Sequence, residues 1–295
     1  MSLLAQLNSL IEDPPPTHAF EISASGIAYA ARGKSPDLKF QPFDGEILAI
    51  APAKDNILNP EAFAAHVAAL IPQNGNKRKR PAAIILPDYC SRVAVLDFDA
   101  FPDSREEQLA LVRFRLKKSV PFDVDTAAVN FQVHKAAHKK VAVVVASAAY
   151  EIVAKYEFPF RAAGFTPGFV TTSALASLDL LPKDGLNVAA KLSGRVLTVA
   201  VCDGRHPKLV RCMELSGLSI EEVMSVLFPT LAYAEDELKT KPQNIHACGF
   251  DIHSLRDACA RDLGVTVEPM RSLWGSASDS NAGLLGWLQA QEVRS

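Results

Sequence analysis

Most signatures that would name a chemistry are missing from this 295-residue chain. Its five cysteines, Cys90, Cys202, Cys212, Cys248 and Cys259, are odd in number, and none forms a Cys-x-x-Cys pair. That scatter excludes a disulfide framework and a zinc ribbon and suits a reducing compartment. Excess charge of one sign is also lacking: the formal balance is −2, with 22% of residues charged. Such a balance offers no basic footprint for nucleic acid and no bulk attraction to an acidic membrane. The longest apolar run, VAVVVASAA at 141–149, falls far short of the ~20 residues that span a bilayer. Gly-x-Ser-x-Gly, the P-loop pattern and His-Glu-x-x-His are all absent, which removes the common hydrolase, P-loop and zincin signatures.

What is present is an ordinary globular composition, 48% hydrophobic, on a chain long enough for one large domain or two medium ones. The start, MSLLAQLNSLIEDPPP, places Leu3, Leu4, Leu7, Leu10 and Ile11 at helical spacing. It lacks the basic region and cleavage site of a signal peptide, so a short docked helix stopped by Pro14, Pro15 and Pro16 is expected.

HAFEIS (18–23) and IAYAAR (27–32) flank a Ser-Gly turn as a hairpin, and EILAIA (46–51) is predicted as a further strand. Asn59-Pro60 opens a helix, since Asn caps and Pro suits the first turn. Strands follow at 82–87 and 91–99. Ser104 and Glu107 have capping-box spacing for a helix that runs to about Ser119 and is ended by Pro121. Next come strands at 128–134 and 141–146, a helix interrupted by Pro159 and closed by Gly164, and a short helix at 173–181.

A second unit begins near Gly185. Strands at 187–193, 196–202 and 208–214 precede a long helix with Ser219 and Glu222 at capping-box spacing and Pro229 inside it. A strand at 245–250, a helix capped by Asp251 and ended by Gly264, the strand VTVEP and a tail helix complete the chain. Both halves start with a meander of strands and continue with helices, the pattern of an α/β protein with two related lobes.

Several constellations weigh less than they first suggest. Asp97 and Asp99 share a strand face and read as solvated carboxylates. The basic run at 77–80 sits in a Gly/Asn-rich loop and reads as solvated. His134 and His138 have i, i+4 spacing, but on a strand and loop that spacing does not converge on zinc. His246 and His253 read as structural histidines, and Cys90 as a buried thiol without a partner base.

The helix at 104–119 ends on Val120-Pro121-Phe122-Asp123-Val124-Asp125, and a strand containing Asn130-Phe131-Gln132-Val133 follows. The helix closing on Ala162-Ala163-Gly164-Phe165-Thr166-Pro167 lies downstream. With the strands ending Leu86-Pro87 and Leu96-Asp97-Phe98, this order resembles the type IV pilus assembly protein PilM, a relative of the division protein FtsA and the secretion protein GspL. The resemblance covers about 18–290 and implies an actin-like fold: two ribonuclease-H-like lobes around a nucleotide cleft, with an inserted small α/β subdomain. The expected units are an N-terminal helix and Pro linker (1–17), a first lobe (18–83, resumed at 166–183), the inserted subdomain (84–165) and a second lobe (184–295).

The same resemblance exposes an eroded nucleotide cleft. The first phosphate loop is usually Asp-Ile-Gly followed by a Lys; here it is Glu21-Ile22-Ser23-Ala24-Ser25-Gly26, with Ala28 for the Lys. The second phosphate loop becomes Lys191-Leu192-Ser193, and a Lys cannot replace an oxygen ligand of Mg²⁺. The adenosine motif becomes Cys248-Gly249-Phe250, where Phe250 is expected to crowd the base. Three coordinated losses imply no ATP hydrolysis, because phosphoryl transfer rests on metal and charge positioning. Binding of Mg·ATP without turnover stays open. No catalytic residue and no protein-bound metal site are expected.

The resemblance implies a scaffold at the cytoplasmic face of the inner membrane, peripheral and held there through partners. The implied partners are the cytoplasmic N-terminal tail of a PilN-like bitopic membrane protein, other pilus motor components and copies of the chain itself. An active actin-like ATPase and a GspL-like secretion component are the alternatives.

Overall fold

The computed structural model describes residues 16–33, 36–71, 80–135 and 140–294. The predicted N-terminal helix, His138 and most of the basic run at 77–80 lie outside them.

Two five-stranded sheets share one topology. In the first, β1 (His18–Ser23), β2 (Gly26–Ala31), β3 (Asp37–Pro42), β4 (Arg80–Leu86) and β8 (Phe165–Thr172) lie in the order β3-β2-β1-β4-β8. In the second, β9 (Leu186–Ser193), β10 (Val196–Asp203), β11 (His206–Glu214), β12 (Asn244–Cys248) and β13 (Thr266–Pro269) lie in the order β11-β10-β9-β12-β13. In both, three antiparallel strands are joined to two parallel ones through the first strand of the lobe. The expected two-lobe duplication is therefore present strand for strand.

Alternation along the strands decides which face meets what. On the first sheet, Phe20, Ile22, Ile27, Tyr29 and Ile84 point to a core closed by α1 (Pro60–Ala69) and α3 (Tyr150–Ala162) through Phe63, Val67, Ile152, Tyr156 and Phe160. The opposite face is alanine-rich: Ala19, Ala28, Ala30 and Ala83. Small side chains let α7 (Ala282–Arg294) lie close against it through Leu284, Trp287 and Leu288. Gly283 lets it approach Ile85 of that sheet, and Gly286 lets it abut the short helix at Ser173–Ser177, where a Cβ would stand 2.0 Å from the Ala176 carbonyl oxygen. The second sheet buries Val188, Ala190, Leu197 and Val199 against α5 (Ile220–Leu238) and α6 (Ile252–Asp262). Its other face carries Ala189, Ala200 and Cys248.

A third sheet, β5 (Arg92–Phe98), β7 (Val141–Ala148) and β6 (Ala128–Lys135), runs in the order β5-β7-β6 and is antiparallel throughout. α2 (Arg105–Leu116) covers one face, where Val112 and Leu116 pack on Phe131, Val143 and Val145.

Several boundaries differ from expectation. The inserted unit is narrower than 84–165: β4 belongs to the first sheet, and α3 buries its apolar side in the first-lobe core. The tail helix α7 is not confined to the second lobe: Leu284, Trp287 and Leu288 pack on the alanine face of the first sheet, while Ala282 and Leu285 pack with Ala189, Ala200 and Cys248 of the second. EILAIA (46–51) contributes one isolated bridge, Leu48 to Ile57, instead of a strand. The Asn56 side-chain amide turns that segment back by bonding both backbone groups of Ala51. The third strand of the hairpin sheet is the exposed β3 instead. Pro159 does not interrupt α3, which runs through it with Pro159 buried. Ser104 makes no side-chain cap on α2, whereas Ser219 accepts from Glu222 N at 3.3 Å on α5.

Candidate functional site

The cleft faces of both sheets are lined by small residues, and one charged side chain stands out on each. Glu21 shares its face of β1 with Ala19, and Lys191 shares its face of β9 with Ala189. Strand alternation alone aims both into the space between the lobes. Both are buried, at 1% and 3% exposure.

Neither meets open space. Glu21 Oε1 accepts from the Ser173 hydroxyl, and Oε2 accepts from the backbone N–H of Leu284 in the first turn of α7, at 2.6 Å. Lys191 Nζ donates to Asp88 Oδ2 at 3.0 Å. Asp88 Oδ1 accepts from the Ala174 backbone N–H at 2.6 Å, and the Thr198 hydroxyl lies 3.4 Å from Oδ2. Asp88 opens the 3-10 turn Asp88–Cys90, which links β4 to the inserted sheet. One buried network therefore ties the first sheet, the root of the inserted unit, the second sheet and α7 together. Burial pushes the Glu21 carboxyl pKa up, against the pull of Lys191 and its hydrogen bonds. Burial penalises the Lys191 ammonium, but Asp88 and Glu21 outweigh it, so its pKa lies above the ordinary lysine value.

The other cleft residues expected from the sequence are also engaged. Ser23 Oγ donates to the Gly26 carbonyl at 3.0 Å and lies 3.1 Å from Ser25 Oγ. Gly26 is required by the neighbouring strand: a Cβ there would stand 2.4 Å from the Gln41 carbonyl oxygen. Ser193 Oγ donates to the Asp279 carbonyl at 3.2 Å. Gly249, at φ +81°, abuts the β9–β10 hairpin so closely that a Cβ would lie 1.8 Å from Leu192 O. Phe250 is partly buried and packs against the core of the second lobe. Asp88, Ser173, Thr198 and the start of α7 are the partners that sequence reasoning missed.

A second concavity lies beyond Asp88. The face of the inserted sheet opposite α2 presents Val144 and Ala146 with Asn130 and Gln132, which are paired in register across β6 and β7. β8 forms the facing wall through Phe169, Val170 and Thr171, and the β10–β11 turn closes one end. The groove measures about 810 Å³. β6 and β8 are each the last strand of their sheet, so both walls offer strand edges. At the closed end His134 on β6 meets His206, the first residue of β11, Nδ1 to Nδ1 at 3.0 Å.

The remaining candidates lie elsewhere in the fold. The Cys90 thiol is buried, donates to the Pro87 carbonyl, and has its pKa raised by burial. His246 is buried with its pKa lowered by desolvation. Asp97 and Asp99 are exposed. Arg80, the last residue of the basic run, lies over the Phe165 ring. Among the described residues no three His, Cys, Asp or Glu side chains are grouped to hold a metal.

No family model and no curated protein matches this sequence. Solved structures do. A PilM-PilN type IV pilus biogenesis complex superposes with a TM-score of 0.76 at 19% identity, covering 94% of this chain and 98% of that one. The cytoplasmic domain of EpsL, an inner membrane component of the type II secretion system of Vibrio cholerae, gives 0.50 at 13% identity, with 94% of each chain covered. A Bacteroides thetaiotaomicron protein with an actin-like ATPase fold and unknown function gives 0.50 at 10% identity over 85% and 90% of the chains. The chain has the actin-like fold.

In an actin-like cleft Mg·ATP would need free oxygen ligands and room for phosphates. Here both Glu21 oxygens, both Asp88 oxygens and the Ser193 hydroxyl are bonded within the protein. Each of these oxygens already has a protein partner.

Proposed function

We propose that this actin-like protein is a PilM-like scaffold of a type IV pilus or related inner-membrane assembly, and that it holds the cytoplasmic tail of a PilN-like bitopic protein without hydrolysing ATP. The observation that carries this reading is the groove between β8 and the inserted sheet. Its floor is small and apolar with two amide side chains, and Arg205, Asp179 and His134 are the ionisable groups along its lining. Strand edges on both walls can add an extended segment through main-chain hydrogen bonds, while apolar pockets take alternate side chains. A mostly uncharged, extended tail with a few aliphatic anchors suits that lining.

The likeness to a PilM-PilN complex supports the same partner class. No described helix is long and apolar enough to cross a membrane. On this reading the chain is cytoplasmic and reaches the inner membrane through its partner. The engagement of Glu21 and Asp88 supports the absence of turnover, because both carboxylates are already bonded within the protein.

The test is a titration of a synthetic PilN-like N-terminal tail into the purified protein, with a phosphate-release assay on the same sample. Saturable binding is expected, and Ala146→Arg, which puts a charge on the groove floor, should weaken it at least about tenfold. Mg·ATP should release no phosphate above the blank. Steady release, or tail binding untouched by Ala146→Arg, would overturn the reading.

A further inference from the structure

The interlobe network reaches the groove through one short element. Asp88 holds the Ala174 N–H at the start of α4 (Ser173–Ser177), and Thr172 caps that helix by accepting from Leu175 N. Thr172 and Leu175 also line the groove, as does Leu178 of the 3-10 turn that continues the helix. On the other side Asp88 is gripped by Lys191 of the second lobe, across 103 residues of sequence. The carboxylate that fixes the groove wall is thus itself fixed by a cation from the opposite lobe. Asp88 and Lys191 are both nearly inaccessible to solvent, at 4% and 3% side-chain exposure, so water competes little for the contact.

We propose that Lys191 is a positioning residue for the groove: a tethered internal cation that keeps the lobes closed on Asp88 and thereby sets α4 and the β8 wall in their tail-binding arrangement. The assignment rests on the tail-binding reading above and adds its regulation. Tail affinity should then depend on the closed cleft and be independent of nucleotide. By linkage, a bound tail should tighten the cleft in return.

The experiment compares wild type, Lys191→Met, Lys191→Arg and, as a control of similar instability, Val267→Ala in the second-lobe core. Two readouts are taken: affinity for the synthetic PilN-like tail, and amide hydrogen exchange of the free proteins. Lys191→Met should lose at least about tenfold in tail affinity and exchange faster through 170–178. Lys191→Arg should restore most of both, and Val267→Ala should leave both unchanged. Equal tail affinity in Lys191→Met and wild type, or faster exchange confined to β9 and β12, would overturn the proposal. If wild type itself binds no tail, the tail-binding reading fails, yet the exchange at 170–178 still decides whether Lys191 governs the groove wall. Should Lys191→Met not fold, the double variant Asp88→Asn/Lys191→Met removes both charges and is read in the same way.

Discussion

The cleft lies between the two lobes and the groove between the first lobe and the inserted sheet, and they are built on opposite rules. In the cleft, Glu21, Asp88 and Lys191 are buried and each is bonded inside the protein. In the groove, about 810 Å³ stands open beside small apolar side chains and two strand edges. A buried ion pair is poor value as pure stabilisation, since desolvation consumes much of the Coulomb gain. An open apolar groove is equally poor value, because it leaves unburied surface that a monomer would ordinarily cover. Each makes sense beside the other. The cleft uses its charges to fix geometry, and the groove presents that geometry to a partner.

The sharpest way to break the contrast is to leave one cleft charge unpaired. Asp88→Asn keeps an acceptor for Ala174 N and removes the counter-ion of Lys191. Loss of one partner of a buried pair costs about 3–5 kcal/mol. Thermal unfolding should show a drop on the order of 10 °C. The double variant Asp88→Asn/Lys191→Met should recover most of it, because no buried charge is left uncompensated. A double variant no more stable than the single one would mean that the pair acts through packing alone.

A smaller effect is expected from restoring an acid to the second phosphate loop. Lys191→Asp supplies the residue type that an actin-like cleft ordinarily carries there. It should still gain no Mg·ATP binding, because Glu21 stays committed to Ser173 and α7, and Ser193 to Asp279. Calorimetric titration decides this. Heat of Mg·ATP binding in the variant would show that Lys191 alone had closed the cleft.

The pattern of the fold was readable in the residues because it rests on local periodicities. The β1–β2 hairpin, β9 to β11 and the capped α1 and α6 all follow from alternation and from Asn59 and Asp251 as caps. Glu21 and Lys191 were also identifiable as departures at cleft positions. Their partners were not, because Asp88 meets Lys191 only after two lobes fold, and the Leu284 N–H that bonds Glu21 is 263 residues away. Nor do helical periodicities say which sheet takes an amphipathic helix: α3 packs in the first-lobe core, and α7 is shared between the two sheets. One sequence signal did exist for α7. Ala19, Ala28, Ala30 and Ala83 form a small-residue face, and Gly283 supplies the matching close approach.

The smallest expected effect tests what kind of group the cleft tolerates. Burial raises the Glu21 pKa, so the folded state favours its protonated form more than the unfolded state does. Its contribution to stability is therefore fully present below the ordinary glutamate pKa and is lost as pH rises through the raised folded value. Glu21→Gln mimics the protonated carboxyl in shape, can still accept from Leu284 N, and can donate to Ser173. The variant should be at least as stable as wild type at pH 8. That advantage should shrink as pH falls toward the unfolded-state pKa, because wild type then gains its own proton. Melting curves across this range check the sign. A variant less stable at pH 8 than at pH 5, relative to wild type, would mean that the ionised carboxylate is the form α7 receives, and that the single cation Lys191 sustains two buried carboxylates, Glu21 and Asp88.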